Sequence, residues 1–109
     1  MKTRQALDVK VAADGMTVRL QGEIDHHRAA LLRCEIDEHI RMHRPSVMRL
    51  DASDVSFMDS SGLGLIMGRY ALMQKMGGEL ILCEPSTTVL RMVKLSGMER
   101  IIKIETKEK

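Results

Sequence analysis

From Met16 onward, short apolar runs of strand type alternate with segments whose apolar residues recur every third or fourth position, and few folds accept that alternation. Before it, Leu7, Val9 and Val11 alternate with polar residues, Asp14-Gly15 supplies a hairpin turn, and Met16, Val18 and Leu20 alternate again. Asp25 is a good cap for the helix that follows, in which Ala29, Leu32, Ile36 and Ile40 share one face, and Pro45 stops it. Val47 to Leu50 reads as a strand, and a second helix runs from about Ser60 to Met76, with Leu63, Ile66, Met67, Tyr70 and Ala71 recurring at helical spacing and Gly77-Gly78 as its stop. Leu80 to Cys83 is a buried-type strand, Ser86 caps a helix from about Thr87 to Leu95, Gly97 ends it, and Ile101 to Ile104 is a last strand. The pattern predicts an α/β domain with a mixed β-sheet of about five strands packed against helices, its parallel connections right-handed.

A chain of 109 residues has room for one such domain, and roughly two-thirds of its extended surface is buried on folding. Hydrophobic residues at 44% and charged residues at 29% exclude intrinsic disorder. With one Phe, one Tyr and no Trp, the core falls to Leu, Ile, Val and ten Met, whose thioethers fill irregular gaps. The net charge of +2 comes from interleaved signs, so no basic stripe points to nucleic acid. Cys34 in a helix and Cys83 at a strand end read as buried free thiols of a reducing compartment. Met1 to Val11 lacks a signal-type apolar run, and no stretch approaches the roughly 18 apolar residues of a membrane span, so a cytoplasmic protein is expected. Glu105 to Lys109 is too charged to bury and is expected to fray.

The most informative motif is Ser56-Phe57-Met58-Asp59-Ser60-Ser61-Gly62-Leu63-Gly64, which sets two serines where a strand gives way to a helix. The first turn of a helix has unpaired amides and a partial positive charge, so a phosphate there gains about 0.3–1 kcal/mol in exposed geometries. Capping is the plain reading of such serines, but Asp59 alone satisfies it and leaves Ser60 unexplained. Gly62 and Gly64 lack side chains and let another backbone approach, while Gly64 and Gly68 read as a smooth packing stripe. No Gly-x-Ser-x-Gly elbow or Ser-x-x-Lys spacing supports hydrolase chemistry. The glycines loosely match a dinucleotide fingerprint but fall inside the helix instead of the turn before it. His39 and His43 lie one turn apart with no third metal ligand, which favours a solvated face. His26 and His27 follow Gly22-Glu23-Ile24-Asp25 at another strand-to-helix junction, where partner contact and capping are both open readings.

Gly22-Glu23-Ile24-Asp25-His26-His27, with Ser56 through Tyr70, resembles the anti-sigma factor antagonists, a family of STAS domains, and among them the sporulation branch of the sigma-F pathway. The Asp-Ser-Ser-Gly segment alone indicates the wider family; His26-His27 and Gly68-Arg69-Tyr70 narrow it. The resemblance covers about Leu7 to Ile104 and implies a single STAS domain over 1–109, its core at about 7–104 and its charged tail at 105–109. Ile24 stands where that family usually has Leu, a conservative change that keeps a buried contact.

The resemblance further implies that Ser60 is phosphorylated by a partner that is both serine kinase and anti-sigma factor. The unphosphorylated form captures that partner and frees the sigma factor, phosphorylation inactivates it, and a PP2C-type phosphatase restores it. Asp25, His26, His27, Asp59, Ser60, Ser61, Gly62, Leu63 and Gly64 are the residues expected to meet the partner. No catalysis, metal or cofactor is implied for the chain itself; ATP or ADP belongs to the kinase, and neither nucleic acid nor membrane is a direct partner. The alternatives are an antagonist in a general-stress sigma pathway and a small-ligand or nucleotide-binding domain using Gly62 to Gly68.

Overall fold

The computed structural model describes residues 7–106. Its elements follow in the order β1 (Asp8–Ala12), β2 (Gly15–Ile24), α1 (His26–His43), β3 (Val47–Met58), α2 (Ser60–Lys75), β4 (Glu79–Cys83), α3 (Thr87–Ser96), a 3-10 turn at Met98–Arg100, and β5 (Lys103–Glu105). The five strands lie side by side in sequence order; β1 runs antiparallel to β2, and β2 to β5 are parallel. Gly15 makes the hairpin possible: its φ is +146°, and an added Cβ would stand 2.7 Å from the Val47 carbonyl oxygen.

Because each parallel connection steps to the next strand in the same direction, right-handed crossovers put all three helices on one face of the sheet. That face carries Met16, Val18 and Leu20 of β2, Met48, Leu50 and Ala52 of β3, and Leu80 and Leu82 of β4, which join the buried helix residues in one cluster. Ala29, Leu32, Ile36 and Ile40 form the buried stripe of α1, as their spacing predicts. Five methionines, Met16, Met48, Met58, Met73 and Met98, are buried in the core. The opposite face is polar: the register puts Asp8, Arg19, Asp51, Cys83 and Glu105 in one row and Lys10, Thr17, Arg49, Ile81 and Lys103 in the next.

Several expectations are corrected. β3 continues well past Leu50 to Met58, because Gln21 to Ile24 of β2 pair with Asp54 to Met58, with two register shifts that absorb the bend. The last strand begins at Lys103; Ile102 is buried in the core just before it. Glu105 belongs to that strand and pairs with Cys83, so it is no part of a frayed tail; residues 107–109 lie outside the described residues. The 3-10 turn at Met98–Arg100 had no sequence signal apart from Gly97, which ends α3 at φ +81°.

The buried face of α2 is also rotated from the one expected: Gly62, Leu65, Ile66, Arg69 and Met73 are buried, Leu63, Met67 and Tyr70 are half-buried, and Ala71 is exposed. Gly64 and Gly68 are not a packing stripe, since a Cβ added at either meets no atom within 4 Å. Cys34 is exposed and Cys83 half-buried, both as free thiols, so Cys34 is not the buried thiol expected.

α1 and α2 are joined by an ion pair. Arg69 is buried, and its Nε lies 2.7 Å from Asp37 Oδ1 on α1, a close charge contact not aligned as a hydrogen bond. Arg69 Nη1 also donates to the Leu65 carbonyl at 3.4 Å. Burial lowers the Arg69 pKa below the ordinary guanidinium value, Asp37 opposes that shift, and the nearby charge of Arg33 adds to it.

Candidate functional site

The two strand-to-helix junctions singled out from the sequence lie next to each other. Ile24 ends β2 and Met58 ends β3 as register partners, and the Asp59 amide donates to the Ile24 carbonyl at 3.3 Å. α1 and α2 therefore start side by side at one corner of the sheet. Asp25 caps α1, its carboxylate accepting from the Arg28 amide at 2.9 Å, and Asp59 caps α2, accepting from the Ser61 amide at 2.8 Å. Both aspartates have extended backbone at the cap, as that role requires.

With Asp59 doing the capping, the two serines part company. Ser60 is the first residue of α2, is exposed, and its hydroxyl makes no hydrogen bond among the described residues. Ser61 is half-buried, and its Oγ lies 3.3 Å from Nδ1 of His26, the first residue of α1. The His26–Ser61 contact thus joins the first turns of both helices. No carboxylate contacts His26 among the described residues, so the pair lacks the orienting group of a hydrolytic triad. His27 is exposed beside it.

Gly62 is buried, contrary to its expected place on the docking surface. A Cβ there would stand 2.0 Å from Met58 Cγ and 2.5 Å from its Sδ, so the missing side chain serves the junction's own packing. Leu63 is half-buried against the core, and Gly64 is exposed. Between the first turns of α1 and α2 lies an open groove of about 340 Å³, lined by His26, Ala30, Arg33, Ser61, Gly64 and Leu65 among others. Arg33, Ala30 and Leu65 were not singled out from the sequence; Ala30 and Arg33 follow His26 at i+4 and i+7, the spacing that puts them on the same face of α1.

His39 and His43 stack with ring centroids 5.7 Å apart, and no group of three or more potential ligands among the described residues is arranged for a metal. Gly62, Gly64 and Gly68 all lie within α2, so they form no phosphate-binding turn. No helix of the described residues is long and apolar enough to cross a membrane.

The family model for the STAS domain matches residues 6–109. The anti-sigma F factor antagonist of Paenibacillus polymyxa is 40% identical over 93 residues, covering 85% of this chain and 80% of that protein. The chain belongs to the STAS-domain family of anti-sigma factor antagonists. The anti-sigma-B factor antagonist of Bacillus subtilis (strain 168), another family member, is 34% identical over 101 residues, 93% of this chain and 91% of its own. Among solved structures, the anti-sigma factor antagonist SpoIIAA in its unphosphorylated form superposes with a TM-score of 0.80 at 30% identity, covering 95% of this chain and 90% of that one. The Bacillus cell fate determinant SpoIIAA in its phosphorylated form superposes with a TM-score of 0.74 at 28% identity, covering 95% and 93%. The mixed five-stranded sheet and the helices on it are thus the fold of this family.

Proposed function

We propose that this antagonist is controlled by phosphorylation of Ser60, made by an anti-sigma factor that is also a serine kinase, and that the α1–α2 corner is where the two proteins meet. The observation that carries the proposal is the unequal placement of the serines: Ser60 is exposed and unengaged at the first position of α2, whereas Ser61 is half-buried and in contact with His26. Unphosphorylated, the chain binds the anti-sigma factor and releases the sigma factor; a PP2C-type phosphatase resets the cycle. The role is that of a binding module, with nucleotide held by the kinase, in the reducing interior of the cell.

The physics favours a local switch. A phosphate adds about −1.5 to −2 charges and a bulky group at the docking corner while the free amides of the first turn of α2 accept it, so binding changes without refolding. That the relative's unphosphorylated and phosphorylated forms both superpose on this fold supports the same view. Similarity to the Paenibacillus polymyxa protein favours an anti-sigma-F partner, and similarity to the Bacillus subtilis protein makes an anti-sigma-B partner the comparison to run.

Binding to purified anti-sigma F and anti-sigma-B factors tests the reading with three chains: native, Ser60→Ala and Ser60→Asp. Native and Ser60→Ala chains should bind one factor alike, and Ser60→Asp should bind it at least about tenfold more weakly, through charge placed at the interface. Equal binding by all three argues against a charge switch at Ser60.

A further inference from the structure

We infer that the groove between the first turns of α1 and α2 receives an acidic and aliphatic segment of the anti-sigma factor, its carboxylate facing Arg33 and its aliphatic side chain lying against Leu65, Ala30 and Gly64. The inference rests on the functional reading above and goes beyond it in naming the receptor residues and the chemistry they select. The groove is shaped for such a segment. Its floor includes Leu65, 4% exposed, and the small residues Ala30 and Gly64 leave its walls low.

Its charge is one-sided. Arg33 lies on the groove wall with no ion pair among the described residues, because the acid within its neighbourhood, Asp37, is already held by Arg69 at 2.7 Å. Asp37 is thus taken by Arg69, and the nearby Arg33 charge is left without a carboxylate of its own among those residues. The first turns of both helices open onto the same corner and add the positive ends of their dipoles, while Asp25 and Asp59 are engaged as caps. A partner carboxylate supplies the missing negative charge. A phosphate on Ser60, the chain neighbour of the groove-lining Ser61, brings negative charge close to the groove and repels that carboxylate, which links the groove to the switch.

Gly64 permits a clean test. A Cβ at Gly64 or Gly68 enters open space, and both positions lie inside α2, so a side chain at either is compatible with the fold and favours the helix. Only Gly64 lines the groove. The native chain, Gly64→Leu, Gly68→Ala and Arg33→Glu are titrated with the purified anti-sigma factor, and thermal unfolding is recorded for each. Gly64→Leu and Arg33→Glu should keep the native melting temperature or exceed it while losing at least about tenfold in affinity, and Gly68→Ala should bind as the native chain does. Native-like binding by Gly64→Leu and Arg33→Glu overturns the groove assignment. Native affinity that falls as salt is raised, with a weaker or reversed salt dependence in Arg33→Glu, supports it, since screening acts on the Arg33 contact. Failure of the native chain to bind any anti-sigma factor overturns the functional reading and this inference together. Self-association of the native chain that Gly64→Leu abolishes assigns the groove to a second copy and overturns the partner proposed.

Discussion

Ile24 and Met58 are register partners on neighbouring parallel strands, and that pairing brings the Asp25 and Asp59 caps, 34 positions apart in the chain, to one corner of the molecule. Parallel strands whose crossovers are helices present their C-terminal ends on one side, and α1 and α2 both begin there. The serine motif and the His26-His27 motif are therefore parts of one surface.

Asp59 should prove the main structural determinant of that surface's order. Asp59→Ala removes the acceptor for the Ser61 amide and should cost about 1 kcal/mol of stability, measured by urea unfolding. Asp59→Asn retains an acceptor and should lose less. Equal stability of Asp59→Ala and the native chain would show that Ser60 or Ser61 takes over the cap.

The glycines of α2 should divide by environment. Gly62→Ala drives a Cβ into the Met58 side chain and should destabilise by about 1–3 kcal/mol, whereas Gly64→Ala and Gly68→Ala should each stabilise by up to about 1 kcal/mol. Thermal melts of the three single variants decide the matter; the prediction fails if Gly62→Ala melts at or above the native temperature.

Removing Arg69 leaves Asp37 with an uncompensated charge at a mostly buried position. Arg69→Ala should cost about 3 kcal/mol, and Arg69→Met, which keeps the packing, should cost less. The double change Arg69→Met with Asp37→Leu should recover most of the loss. Additive costs in that double-mutant cycle would show that the pair is not coupled.

The two thiols should react in a fixed order. Cys34 is exposed, while Cys83 is half-buried and its pKa is raised, first by burial and then by Glu105. Alkylation followed by peptide mass mapping should label Cys34 first, and Cys83 only at a pH above that of an ordinary thiol. The linked stability has a definite sign: because the folded pKa is raised, the contribution of Cys83 is complete below the unfolded thiol pKa and declines as pH rises through and beyond it. Faster labelling of Cys83 than Cys34 would contradict this placement.

Much of the fold was legible because the relevant signals are local. The 3.6-residue spacing of Ala29, Leu32, Ile36 and Ile40 marked the buried face of α1, and Asp25, Asp59 and Ser86 cap the helices they precede. The far half of β3 was hidden because Ser53, Asp54 and Ser56 are polar and exposed, and only pairing with β2 makes them strand. The rotation of α2 was hidden for the opposite reason: apolar residues occupy nearly every turn of that helix, so several faces fit the period equally well. Arg69 at its buried centre is intelligible only once Asp37 is seen across from it. The site motifs were visible as two separate segments, but their contact through His26 and Ser61 depends on the sheet register.

A local switch also predicts that phosphorylation leaves the far-ultraviolet circular dichroism spectrum nearly unchanged. The Ser60 residue is exposed and outside the core cluster, so no buried contact must break to accommodate a phosphate there. Extensive loss of helical signal would replace the local account with one of unfolding.

The most direct test is the intact mass of the chain after incubation with magnesium-ATP and an anti-sigma-F-type serine kinase, with Ser60→Ala alongside. One added phosphate on the native chain and none on Ser60→Ala is the predicted result. One phosphate on both chains would place the modification on Ser61 or elsewhere, and no phosphate on the native chain from either the anti-sigma-F or the anti-sigma-B kinase would contradict phosphorylation control.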